Sequence, residues 1–238
     1  MLFDARSLAP LAAFDAGALT ELRTAAVSAW VVGTLAPSEA TTLALFGTGA
    51  QARAHLAALA AVRSLEQVLV LARQGTGASR LIAMAERLGL VARPASPAEV
   101  AQAGIVCCCT SSGVPLFDGR DLRPGTLVIA IGSYHPDRRE VDSTCVRRSQ
   151  VVVEDRAAAL AEAGDLVLAM GEGAFSPTDV AADLFELAQG ARPAQPGRDL
   201  TLFKSVGAAF EDLAVARALW ERLAGARPPG PAPPASRG

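Results

Sequence analysis

Apolar residues in the middle of this chain come in short continuous runs, each closed by glycine or polar residues. The runs are Leu43–Phe46, Val68–Leu71, Gly89–Ala92, Ile105–Cys109, Leu127–Ile131 and Gln150–Val153. Runs of that length without polar alternation predict strands buried on both faces, as in a parallel sheet. Between them lie helical patterns at Gln51–Val62, Ser79–Leu88 and Arg156–Ala163. Ser96-Pro97-Ala98-Glu99 is a capping box with proline at the first helical position, opening a short helix to Ala103. A further helix is expected from Pro177 to Gln189, capped by Ser176 and ended by Gly190. Strands alternating with helices predict an α/β fold, a Rossmann-type doubly wound parallel sheet.

The two ends carry a different pattern. Leu2–Ala5 and Leu11–Phe14 predict a strand pair, and Ala18–Leu35 a helix capped by Thr20. Leu22, Ala26, Ala29, Trp30 and Gly33 would form its inward side. Pro37-Ser38-Glu39 reads as a linker. Near the other end, Asp199–Phe203 is extended. Ser205 is expected to cap a long helix, Val206–Leu223, with Val206, Phe210, Leu213 and Trp220 inward. The Pro-rich tail from Gly225 has the composition of a disordered segment. The expected divisions are therefore 1–36, 37–198, 199–224 and a tail, 225–238.

The chemistry begins at Leu43–His55, LALFGTGAQARAH. A strand runs into Gly47-Thr48-Gly49-Ala50-Gln51-Ala52, and a helix follows. This is the G-x-G-x-x-A spacing of a dinucleotide fingerprint, in the strand–turn–helix context that the motif requires. Gly47 permits the tight turn, Gly49 lets backbone approach a pyrophosphate, and Ala52 lets the helix lie close on the strand. N–H groups of the first helical turn then face the phosphates. At the end of the next strand, where an acid would bind an adenosine ribose 2′-hydroxyl, the chain has Arg73. An arginine there accommodates a 2′-phosphate, so the cofactor expected is NADPH, with NADH as the alternative. Arg80 is a possible helper, and a solvated loop arginine is the plainer reading of Arg73.

Two polar loops follow predicted strands, where α/β sheets hold their ligands. They are Thr110-Ser111-Ser112-Gly113 and the dense stretch from Gly132 through Tyr134 and His135 to Glu140. Arg23, with Thr24, falls in the first turn of the predicted first helix. A cation there is badly placed for the helix dipole unless an anion lies nearby.

Composition narrows the rest. A net charge of −2 leaves no basic field for nucleic acid, and no apolar run is long enough to span a bilayer. Four cysteines, three of them consecutive (Cys107, Cys108, Cys109), make no disulfide framework. On a strand they alternate faces, so the three cannot chelate one metal together. They read as small buried apolar residues of a reducing, cytoplasmic compartment, and no metal is expected. Lys204 is the only lysine.

Laid out in order, LTELRTAA (Leu19–Ala26), LALFGTGAQA (Leu43–Ala52), CCTSSGVP (Cys108–Pro115), GTLVIAIGSYHPDRREVD (Gly125–Asp142) and TLFKSVGAAFEDLAVA (Thr201–Ala216) make the chain similar to the ornithine cyclodeaminase/μ-crystallin family. The resemblance implies a nucleotide domain for NAD(P)(H), beside a substrate domain built from both chain ends and used for dimerisation. It implies that Arg23 binds a substrate carboxylate and that Thr24 lies near the cofactor. It also implies that the block Lys204, Ser205, Val206, Gly207 sets a helix N-terminus against the nicotinamide.

Two departures from the family pattern matter. The family's usual N-terminal segment, with an Arg and a Lys that help hold substrate, is expected to be missing. And the cyclodeaminase aspartate after the fifth strand is replaced by Tyr134. A phenol, with its ordinary pKa of about 10, cannot be the carboxylate base of that reaction at neutral pH. The Gly-Ser-Tyr-His-Pro-Asp form looks like the family's imine reductases, acting on a small cyclic imino acid such as Δ1-pyrroline-2-carboxylate or Δ1-piperideine-2-carboxylate. Tyr134 or His135 would then supply the proton, while a structural loop histidine is the other reading of His135. His55 reads as structural. The rival functions are a cyclodeaminase or amino-acid dehydrogenase of the same family, and a non-catalytic NADPH-binding protein.

Overall fold

The computed structural model describes residues 1–72 and 76–225. Arg73 lies outside them. The chain divides into two compact units, Thr24–Ala208 and Met1–Arg23 with the chain from Ala209.

In chain order the elements are β1 (Leu2–Phe3), β2 (Pro10–Ala12), α1 (Ala16–Leu35), β3 (Thr42–Phe46), α2 (Ala50–Val62), β4 (Gln67–Leu71), α3 (Thr76–Arg87) and β5 (Val91–Pro94). There follow β6 (Ile105–Cys108), β7 (Leu127–Ala130), α4 (Ser143–Arg148), β8 (Ser149–Val153), α5 (Arg156–Glu162) and α6 (Gly164–Gly171). The last are β9 (Val180–Asp183), α7 (Leu184–Ala188), β10 (Leu200–Lys204) and α8 (Ala209–Gly225).

The large unit is built on one eight-stranded sheet in the order β5-β4-β3-β6-β7-β10-β8-β9. Every neighbouring pair runs parallel. Alternate residues of each strand therefore feed two cores. Leu43, Leu45, Cys107, Ile129 and Phe203 pack on one face with Ala52, Leu56 and Leu59 of α2 and with Val31 and Val32 of α1. Ala44, Cys108, Val128 and Leu202 pack on the other with Val146 of α4 and Leu166 of α6. Cys108 thus faces away from Cys107, as strand alternation requires. From β3 the chain winds outward to β5, then returns to β6. The reversal between β3 and β6 is the switch point where such sheets bind ligands.

Several expectations need correcting. The stretch Pro177–Gln189 is not one helix. Ser176 does close a capping box with Asp179, but over a single 3-10 turn, Pro177–Asp179. Val180–Asp183 then joins the sheet edge, and Asp183 opens a second capping box with Glu186 for α7. The expected break at 199 is also displaced: Leu200–Lys204 sits inside the sheet between β7 and β8, and the large unit runs on to Ala208.

In the small unit, β1 and β2 pair antiparallel, Leu2 opposite Ala12. Thr20 is not the cap of α1. The helix starts earlier, and the Asp15 carboxylate accepts the Ala18 N–H at 2.8 Å. Along the whole of α1 the buried residues are Thr24, Ala25, Ser28, Ala29, Val31 and Val32, whereas Leu22 and Trp30 are exposed. On α8 the expected inward side also fails in part. Phe210 and Leu213 are exposed, and Glu211 and Ala216 are buried. Ala29 is inward as expected and Val206 and Trp220 are partly buried, but the other long apolar side chains named for these faces point to solvent.

Candidate active site

The fingerprint turn has the geometry of a dinucleotide cradle. Gly47 takes φ +100°, and a Cβ there would also strike the Cys109 carbonyl. Only glycine satisfies both the conformation and the approach. Ala52 is fully buried under α2, so a larger residue would lift the helix off the sheet. Gly49 caps α2 with ordinary extended backbone, and no side chain caps the helix. The helix N-terminus, with its positive dipole end, faces the turn, where an anion is favoured. Among the described residues, no atom lies within 4 Å of a Cβ built on Gly49. Gly49 is therefore dispensable for packing, and the space beside it suits a ligand. Thr48, Ala50 and Gln51 complete the turn; the Thr48 carbonyl accepts a hydrogen bond from Arg53 Nη1, and a Cβ on Gly77 would run into the Thr48 hydroxyl.

The loops after β6, β7 and β10 are stitched side by side by a buried acid–base cluster. Glu140 Oε1 accepts both the N–H and the hydroxyl of Thr110, each at 2.7 Å, and Oε2 accepts the Gly132 N–H at 2.7 Å. Asp165 Oδ1 accepts the backbone N–H groups of Glu140 and Val141 at 2.7 and 2.9 Å. Lys204 Nζ donates to the Ser133 carbonyl at 2.6 Å and pairs with Asp165 Oδ2 at 2.9 Å. All three charged side chains are fully buried. Burial pushes the Glu140 carboxyl up, while Lys204 and the Thr110 hydrogen bonds pull it back. Glycine is required here too: a Cβ on Gly132 would overlap Thr110 and Glu140.

That Glu140, Asp165 and Lys204 meet was not anticipated, and Asp165 was not singled out at all. The cluster's members are far apart in the chain, and the one available signal was that Lys204 is the sole lysine in an arginine-rich chain. It is enclosed in the fold, not solvated.

The structure relocates several predicted residues. Thr110 turns its polar groups to Glu140, and Ser112 closes its own loop by donating to the Val114 carbonyl at 2.6 Å, while Ser111 is exposed. Ser205, Val206 and Gly207 do not open a helix, because α8 starts at Ala209. Their donors are taken by Glu154, which accepts from the Ser205 hydroxyl and from the N–H groups of Val206 (3.1 Å) and Gly207 (2.6 Å). The loop after β10 is thereby tied to the end of β8. Tyr134 and His135 stand exposed on the loop after β7, their ring centroids 4.6 Å apart and tilted 35°. His55 is wholly buried, with Nδ1 2.8 Å from the Gln51 carbonyl and Nε2 2.9 Å from the Ser28 hydroxyl. Burial lowers its imidazole to about 4.

Within the small unit, Arg23 is not in a first turn, since α1 begins at Ala16. Its anions are protein carboxylates. Nη1 donates to Glu211 Oε2 at 2.8 Å, and Nε lies 3.3 Å from Asp212 Oδ1. Thr24, the next residue, is buried in the large unit.

The sequence profile of the ornithine cyclodeaminase/mu-crystallin family matches residues 1–227. A Delta(1)-pyrroline-2-carboxylate reductase of Colwellia psychrerythraea is 35% identical over 229 residues, covering 94% of this chain and 72% of that protein. The structure of Thermococcus litoralis Delta(1)-pyrroline-2-carboxylate reductase, in complex with NADH and L-proline, superposes with a TM-score of 0.88 at 32% identity. It is covered over 70% of its length by 94% of this chain. A probable ornithine cyclodeaminase from Bordetella pertussis is 42% identical, with a TM-score of 0.86, over 96% of this chain and 74% of that one.

Proposed function

The chain belongs to the ornithine cyclodeaminase/mu-crystallin family, and on that premise we propose that it reduces a cyclic ketimine carboxylate with a nicotinamide cofactor. The substrate class is Δ1-pyrroline-2-carboxylate or Δ1-piperideine-2-carboxylate, giving L-proline or L-pipecolate. The observation that carries this reading is the cradle itself. It combines the left-handed Gly47, the uncapped N-terminus of α2 and the open space at Gly49, a donor set that fits a pyrophosphate.

A nicotinamide cofactor held at Gly47–Ala52 would supply the hydride; the protein's own task is to place the substrate and supply a proton to its nitrogen. Arg23 is the residue for the substrate carboxylate. Glu211 and Asp212 hold two of its nitrogens and so fix how the planar guanidinium is presented. Tyr134 or His135 provides the proton that makes the imine electrophilic. They are adjacent on one loop, so either can be the donor without the other moving away. Glu140 positions the strand ends on which this loop and Thr110 are carried. Thr24, Ser111 and the 205–207 turn are proposed to line the cofactor site through the surfaces their hydrogen bonds leave open.

The cofactor proposed is NADPH, from Arg73, and the working assembly a homodimer in the cytoplasm. Exposed Phe210 and Leu213 support a pairing surface on the small unit. No helix among the described residues is long and apolar enough to cross a membrane.

The test is NADPH oxidation with Δ1-pyrroline-2-carboxylate, run beside a NADPH titration. Turnover with saturable binding is expected. Tight binding without turnover of either imine would leave only a nucleotide-binding protein, and release of ammonia from L-ornithine would favour a cyclodeaminase. Arg73→Ala should lower the NADPH-to-NADH affinity ratio by about tenfold, the scale of one lost charge-assisted contact; an unchanged ratio would remove the 2′-phosphate role.

A further inference from the structure

Three metal-ligating side chains converge beneath α2, apart from every role given above. Cys107 and Cys109 are two residues apart on and just after β6, so they share a face, and their sulfurs lie 3.6 Å apart. His55 reaches the same place from α2. One ligand atom from each of the three lies within 4.8 Å of the other two; His55 and Cys107 are buried and Cys109 is partly buried. Cys108 belongs to the core on the opposite side of the sheet. Strand alternation therefore keeps Cys108 alone of the three away from this face.

The dimensions are those of a tetrahedral thiolate site. Zinc bonds of about 2.3 Å to sulfur put two thiolates about 3.8 Å apart at the tetrahedral angle. The imidazole is already held as a ligand would be: Nδ1 meets the Gln51 carbonyl, the carbonyl partner typical of metal-bound histidine, which leaves the Nε2 lone pair to be offered. Nε2 now takes the Ser28 hydroxyl, a hydrogen bond that coordination would replace. Charge also fits, because two thiolates, one neutral imidazole and a divalent cation sum to zero, which a buried site tolerates. Cys109 keeps part of its surface open, giving a route in.

We propose that His55, Cys107 and Cys109 form a binding site for a borderline-soft divalent cation of the zinc class, with a fourth position for water or the Ser28 hydroxyl. Binding converts two thiols into thiolates and releases two protons, with no change of oxidation state. Its role is structural. Cys109 abuts Gly47 through its carbonyl, and His55 hangs from Gln51, so an ion here would brace the glycine turn from below.

The probe is cobalt(II), added to the metal-stripped full chain. A thiolate-to-cobalt charge-transfer band and intense tetrahedral d–d bands are expected, saturating near one ion per chain. Cys108→Ser is expected to keep these bands, whereas Cys107→Ser, Cys109→Ser and His55→Asn lose or weaken them. Absence of the bands in the wild type, their survival in Cys107→Ser, or their loss in a folded Cys108→Ser would overturn the proposal. Should the thiol variants fail to fold, zinc-edge X-ray absorption on the wild type decides. Sulfur neighbours at about 2.3 Å and nitrogen at about 2.0 Å support the site, and a shell of oxygen and nitrogen alone refutes it.

Discussion

The two units treat buried charge in opposite ways. In the large unit, Glu140, Asp165 and Lys204 are sealed inside, and named donors and acceptors tie them to the ends of β6, β7 and β10. In the small unit the part-buried pairing of Arg23 with Glu211 and Asp212 is set among elements whose large apolar residues stay outside: Phe3, Leu22, Phe210 and Leu213 are all about half exposed. The large unit encloses its charged cluster, and its buried polar groups hold loops in place. The small unit has apolar surface still to cover. Stability and loop geometry are thus expected to reside in one unit, and association surface in the other.

Removing Lys204 should disturb that contrast most. Lys204→Met leaves Asp165 and Glu140 enclosed without their cation, and a loss of about 3–5 kcal/mol is expected in urea unfolding. A loss below about 1 kcal/mol would mean that water reaches the cluster and that the large unit is less closed than its burial implies.

Acid should act next, in the metal-free protein, through the buried His55 of the large unit. Burial holds His55 at about 4 against an ordinary 6.5. Between those values the unfolded chain takes up a proton that the folded chain refuses. Stability is therefore fullest above pH 6.5 and falls as the pH drops toward about 4, by up to about 3 kcal/mol. His55→Gln should flatten this part of the profile; an unaltered slope would place the acid sensitivity elsewhere.

The two fingerprint glycines separate folding from binding within a few ångströms. Gly47→Ala meets both a left-handed backbone and the Cys109 carbonyl, and should cost about 2 kcal/mol. Gly49→Ala has room and ordinary backbone, and should shift stability by less than about 0.5 kcal/mol. Its dinucleotide affinity should nonetheless fall about tenfold, or about 1.4 kcal/mol. Equal affinity in Gly49→Ala would remove the pyrophosphate from that space. The smallest effect belongs to the small unit: Asp15→Ala removes the cap of α1 and should lower the melting temperature in step with about 1 kcal/mol or less.

What could be read from the sequence was what is local. Leu43–Ala52 holds its strand, turn and helix within a dozen residues, so spacing alone recovered it. The capping box at Ser96 was equally local. Asp183 with Glu186 carried the same signal, but the helical look of 177–189 hid it and β9 with it. Asp15 lost to Thr20 as the cap because the reading began the helix two residues late. Glu140, Asp165, Lys204 and the link from Glu154 to residues 205–207 could not be found this way. Their partners meet only when distant strands become neighbours. The inward faces of α1 and α8 failed in part for a related reason: apolar size predicts burial only where another surface lies opposite.

The position of β10 bears on how the sheet comes to exist. It is the last of the described strands in chain order, yet it lies between β7 and β8. The nascent chain can assemble β3 to β7 as they emerge, but β8 and β9 have no place to dock until residues 200–204 arrive. Until then β7 and β8 each present an open hydrogen-bonding edge, the state most prone to pairing with a neighbour. A chain stopped before Leu200 would lose the strand joining two parts of its sheet, and aggregation is the expected fate.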